Sequence, residues 1–211
     1  PRRSAPRAHL NPRTERLRLV GVTAGGIDAE PLYILAHIDG SILFGGVTLG
    51  LIGINRAYPK LDAFSLFNPA GLAIAKRDAA DGYGCAGGVA AQVHGTAAQY
   101  TKYPTSQALA AVPRVKDILA KLSLAKGEAP TAPSFIYNTV HDEIMRIQQV
   151  DALAHHWCAA HDNVYYDRSS VGDHISGIAV YNKLALQYLQ NRFARHPAPS
   201  TCKSGPHDPK E

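Results

Sequence analysis

The order of apolar and polar positions divides this chain into two kinds of sequence. Arg16-Leu-Arg-Leu-Val-Gly-Val-Thr23 alternates and then turns apolar, as a strand does on entering a core, and Ala24-Gly-Gly26 predicts a tight turn at its end. Helical spacing follows at 29–39 and 47–57. From Ala36 to Tyr103 no strand of convincing length is predicted. That stretch is rich in Gly, Ala and short helical patterns, punctuated by Pro59, Pro69 and the glycines at 82, 84, 87 and 88. Ser106 to Ala125 is predicted as one amphipathic helix, because Leu109, Val112, Val115, Ile118, Leu119 and Leu122 recur at helical steps. Lys126 to Pro133 reads as a linker.

Beyond the linker, strand and helix alternate: a strand at 134–140, a helix at 143–160, a strand at 163–167 and a helix at 177–195. This β-α-β-α punctuation predicts an α/β fold, a parallel sheet flanked by helices, with the strand at 17–23 as a third parallel member. The expected organisation has four parts. A basic arm covers 1–15, and a core is built from 16–35 and 126–196. A mostly helical cap-like insertion covers 36–125, and a tail covers 197–211.

Charge adds little. The net charge is +5, and the six arginines of residues 1–18, set against Glu15, account for all of it. A basic arm can bind phosphates, but no basic stripe continues into the body and no aromatic residues interleave it, so no nucleic-acid partner is expected. No signal peptide is visible at Pro1-Arg-Arg-Ser-Ala-Pro. The longest apolar run, Ile42 to Ile54, is too short for a transmembrane segment. Cys85, Cys158 and Cys202 lack C-x-x-C spacing, and their odd number suggests one disulfide and one orphan in an oxidising compartment.

Candidate chemistry lies past the strand ends, where parallel sheets place it. Asp142 follows the strand at 134–140, and His174 sits in the loop Val171-Gly-Asp-His174 after the next strand. Acid and then histidine, each beyond a strand, is the later part of the order nucleophile, acid, histidine. A serine nucleophile needs a base to take its proton and a carboxylate to orient that base. The pair also has plain readings: Asp142 as the N-cap of the helix at 143–160, and His174 as an ordinary loop histidine. Glu143 and Asp173 are rivals for the acid. His155, His156 and His161, with His141 nearby, raise a metal site, but 156 and 161 are five apart, off the four-residue step of a helical zinc site. Neither a metal nor a cofactor is expected.

Pro133-Ser-Phe-Ile-Tyr-Asn-Thr-Val-His-Asp-Glu-Ile144, Trp157-Cys-Ala159, Asn163-Val-Tyr-Tyr166, Gly172-Asp-His174, Arg192-Phe193, Pro197-Ala-Pro199 and Cys202 resemble the C-terminal half of the secretory lipase family. Leu17 to Gly26 resembles the strand and Gly-Gly turn that follow the nucleophile helix there. The resemblance runs over roughly 8–203 and is loose between 36 and 125. It implies an α/β-hydrolase fold with a helical cap, and hydrolysis of acyl esters by a Ser-Asp-His triad. It also implies Asp142 as the acid, His174 as the general base, a Cys158–Cys202 disulfide, and a secreted or cell-envelope protein with a lipid or acyl-ester substrate and possible contact with a lipid interface.

The sequence departs from that pattern in two places. Arg146 stands where the family's acid motif usually reaches Pro. No Gly-x-Ser-x-Gly occurs, and Ser4 has neither flanking glycines nor a preceding strand, so it is not assigned as the nucleophile. The expectation is a chain without the N-terminal half of the fold, poorly soluble and inactive alone. The alternative is a non-enzymatic remnant that binds an acyl chain or a protein partner through the cap region.

Overall fold

The computed structural model describes residues 18–80, 92–160 and 163–206. Three strands form one parallel sheet in the order β1-β2-β3: β1 (Val22–Gly25), β2 (Ser134–Thr139) and β3 (Val164–Ser169). Val22 pairs with Ser134 and Gly25 with Tyr137, while Ser134 pairs with Val164 and Thr139 with Ser169. All three chains therefore leave the sheet at the same edge. β2 lies between its partners and is buried almost throughout, which its Phe135-Ile136 centre and lack of charge permit.

Alternation along the strands sends side chains to two faces. Ile136, Val164 and Tyr166 pack against α7 (Ile147–Ala159) through Val150, Leu153 and Trp157. Phe135, Tyr137 and Tyr165 pack against α8 (Gly177–Phe193) through Tyr181, Ala185 and Tyr188. The second face is largely aromatic: Tyr137 stacks on Tyr181 with ring centroids 4.5 Å apart. The segment after α8 returns along the outer edge of β3, where the Thr201 N–H donates to the Val164 oxygen and the Tyr166 N–H to Thr201 Oγ1. A Cys158–Cys202 disulfide ties that segment to α7.

The stretch between β1 and β2 is helical, with no strand among its described residues. It contains α1 (Pro31–Ile38), α2 (Gly45–Ala57), α3 (Pro69–Ala80), α4 (Ala97–Tyr100), α5 (Ser106–Ala110) and α6 (Pro113–Leu122), with short 3₁₀ turns. These helices share a core of their own around Phe44, Val47, Leu51, Leu66, Leu109 and Val115. The two chain crossings between sheet and helices lie side by side. The N–H groups of Leu124 and Ala125 donate to the Ala29 oxygen, Ser123 bonds to Glu30, and Lys126 pairs with Glu30 at 3.5 Å.

Several boundaries differ from the periodicity. The helix expected at 106–125 is two helices, because Val112, the residue before Pro113, takes an extended ψ of 122° and Pro113 opens a new first turn. The ladder expected at 17–23 is confined to Val22–Gly25 among the described residues. The helix expected from 143 begins at Ile147, for a reason that lies in the site. The basic arm, Cys85 and His161 lie outside the described residues.

Candidate active site

The parallel register carries the ends of β2 and β3 to one rim, and each strand runs directly into a loop that bears one of the two candidate residues. Beyond β2 the chain turns at Asp142, whose Oδ1 accepts the N–H groups of Ile144 at 2.9 Å and Met145 at 2.7 Å. Buried Asn138 clamps the same turn from below, its Nδ2 donating to the Met145 oxygen at 2.8 Å. Asp142 thus caps a turn of its own rather than α7, and this delays the helix to Ile147. Beyond β3, Gly172 takes a positive φ of 95°. Asp173 and Ser176 then close the loop reciprocally: the Asp173 N–H donates to Ser176 Oγ, and the Ser176 N–H donates to Asp173 Oδ1.

These two loops bring Asp142 and His174 together. His174 Nδ1 lies 3.0 Å from Asp142 Oδ2 and 3.1 Å from Oδ1. The carboxylate is 3% exposed and the imidazole 22%. A proton on Nδ1, directed at the carboxylate, leaves Nε2 as a proton acceptor. Burial by itself would raise the Asp142 carboxyl. The hydrogen bond from His174, the N–H groups of Met145 and Ile144 and the imidazole charge outweigh it and hold the carboxyl below its usual range. The Asp142 hydrogen bond pushes His174 up against the opposing effect of burial, and the charges of Asp142, Glu143 and Asp173 add to the rise.

The rivals for the acid are engaged elsewhere. Asp173 binds Ser176, and the Glu143 carboxylate accepts the backbone N–H of His174 at 3.0 Å. The Gly-Gly turn after β1 forms the third wall. Gly26 has φ of +58°, and a Cβ there would lie 3.0 Å from His174 Cε1. At Gly25 a Cβ would fall inside the Tyr137 ring. The turn therefore needs both glycines, one for the tyrosine and one for the imidazole. Gly25, Gly26, Tyr137, Asp142, His174 and Ile178 help line a cleft of about 180 Å³.

The sequence reading did not foresee the bond from Glu143 to the His174 backbone, because an exposed glutamate carries no periodic signal. Within the histidine cluster His156 Nε2 bonds to the Gly127 oxygen, and no group of three side chains that could hold a metal ion occurs among the described residues. No described helix is long and apolar enough to cross a membrane.

This architecture has known counterparts. Candida antarctica lipase A superposes with a TM-score of 0.81 at 18% identity, covering 94% of this chain and 48% of that one, and shares the α/β-hydrolase fold. Lipase A of Arthroderma benhamiae is 26% identical over 207 residues, covering 95% of this chain and 43% of its own length. A probable inactive lipase of Mycobacterium tuberculosis is 32% identical over 85 residues, covering 40% of this chain and 19% of its own. The chain spans less than half the length of these relatives. Residues 7–201 match the family described as secretory lipase, and the chain belongs to that family.

Proposed function

We propose that Asp142 and His174 are the acid and general base of a carboxylic ester hydrolase acting on acyl esters, lipid esters foremost. The observation that carries this reading is the 3.0 Å contact between the two side chains at the carboxyl ends of neighbouring parallel strands. In that role His174 Nε2 takes the proton of a serine hydroxyl and returns it to the leaving alcohol, while Asp142 holds the ring and stabilises the imidazolium. On the same reading, residues 36–125 form a helical cap beside the acyl site. A secreted location agrees with the family and with the Cys158–Cys202 disulfide.

The triad also needs a serine on a sharp glycine-flanked turn, and Gly-x-Ser-x-Gly does not occur in these 211 residues. The reading therefore places the nucleophile and its oxyanion donors in a segment joined to this one. The 211 residues alone are expected to hydrolyse no short-chain acyl ester. A natural polypeptide that joins them to such a segment is expected to do so, and Asp142→Asn should then lower kcat by about 10⁴-fold and His174→Ala by about 10⁶-fold. Turnover that survives His174→Ala would overturn the assignment.

A second reading has one observation in its favour, the similarity to a probable inactive lipase. On that reading the chain binds an acyl chain or a protein partner through the helical region without turning it over. Saturable binding of a fluorescent fatty acid, unchanged by His174→Ala and without turnover in the longer polypeptide, would favour it.

A further inference from the structure

Glu143 follows the acid in sequence, yet the chemistry proposed above makes no use of it. Its Oε2 accepts the backbone N–H of His174 at 3.0 Å. Its main-chain oxygen lies 2.7 Å from Nε2 of His37, in the last turn of α1. One residue thus reaches the base loop with its side chain and the helical region with its backbone, while its neighbour Asp142 reaches the imidazole.

A single contact between a carboxylate and a ring nitrogen leaves the ring free to swing with its loop. The Asp173–Ser176 turn closes that loop on itself, and this fixes its shape without fixing its place. Placement requires a bond to another element. Asp142 supplies one to the ring, and Glu143 supplies one to the main chain at the same residue. Two anchors on His174, from consecutive residues of one braced turn, define both position and orientation, and catalytic groups must be held to fractions of an ångström.

We propose that Glu143 is a positioning residue: it fixes the backbone of His174 while Asp142 fixes the ring, and through its carbonyl it couples both to α1. The inference rests on the hydrolase reading only for the purpose of that geometry. Asp142, Glu143 and Asp173 are the charged groups that act on His174, with the Asp142 carboxylate nearest the ring.

The test uses the isotopically labelled natural polypeptide that contains these 211 residues and follows amide exchange and ring titration of His174 by NMR. Glu143→Ala removes the acceptor and is expected to speed exchange of the His174 amide about fivefold, the factor a typical hydrogen bond is worth. Glu143→Gln keeps an oxygen acceptor, so exchange should stay near the wild-type rate. The ring titration should still move down, because a negative charge is lost. Unchanged exchange in Glu143→Ala would overturn the proposal, and so would equal acceleration in both variants, which would assign the effect to charge alone. His37→Ala is expected to speed the same amide through the shared residue, and no change there would remove the coupling to α1. Glu143 is exposed, and unchanged circular dichroism would show that each variant folds. Turnover is not among the readouts, so this test can fail while the hydrolase assignment stands, and the reverse.

Discussion

Both oxygens of Asp142 reach the imidazole, and one of them also holds the turn. Oδ1 takes two backbone N–H groups and makes the turn, while Oδ2 makes the shorter of the two contacts with the imidazole. The environment separates the two titrations: Asp142 is held below its usual value of 3.8 and His174 above 6.5. The consequence for stability has a definite sign. The lowered carboxyl stabilises the fold above its unfolded value near 3.8, and that contribution is lost as pH falls through the folded value. The raised imidazole stabilises the fold below its unfolded value near 6.5, and that contribution is lost as pH rises through the folded value. Both are therefore fully present only between those two unfolded values. An NMR titration should place the His174 midpoint above 6.5, and Asp142→Asn should bring it down; a midpoint indifferent to that change would contradict the contact. Gly26→Ala should cost about 1–2 kcal/mol from its left-handed backbone alone, read from urea unfolding, and should also disturb the His174 ring signals. The placement of Asp142 and His174 beyond two strand ends was legible in the strand and helix punctuation, while their roles as acid and base came from the family resemblance and belong to the proposal. Glu143 was not legible, since its partner is a main-chain N–H 31 residues away.

Among the elements, sequence was most informative where one face or one punctuation mark dominates. β2 and β3 were placed within two residues by their apolar centres, whereas the break between α5 and α6 was missed, because the apolar spacing runs straight through Pro113. The late start of α7 was not marked, because a side-chain-capped turn and the first turn of a helix share the same residue types. The outer edge of β3 was also unreadable, since the segment 197–206 has no strand pattern and is held instead by Thr201 and Cys202. That edge yields a prediction. Replacing both Cys158 and Cys202 by Ser opens a covalent loop with a sequence separation of 44, worth about 4 kcal/mol in the chain-entropy account. The loss should appear in urea unfolding at neutral pH. It should be accompanied by faster exchange of the Tyr166 amide, whose acceptor is Thr201 Oγ1. If global stability falls while that amide stays protected, Thr201 holds the edge without the disulfide.

At the scale of the whole molecule, the balance between buried and exposed apolar surface is uneven. The helical region closes over its own core, and α7 covers its face of the sheet. α8 does not finish in the same way. Its buried arc, through Tyr181, Ala185 and Tyr188, continues sideways into Ile178, Leu186 and Phe193. On a helical wheel those three fall within about 80° of one another. Phe193 is 75% exposed and, together with the exposed Leu19, lines an open groove at the far end of the sheet from the cleft at Asp142 and His174. Exposed apolar side chains gathered on one flank of a helix favour self-association. The 211 residues alone should therefore elute from size exclusion as concentration-dependent oligomers or aggregate. Charged substitutions on the flank, Ile178→Lys with Phe193→Lys, should shift the elution toward a single small species without lowering the urea midpoint, because neither side chain is in the core. The control is an exposed apolar residue far from this flank, Ile42, whose change to Lys should leave the elution where it was. A chain that runs as a monomer at every concentration before any substitution would show that the flank does not drive self-association.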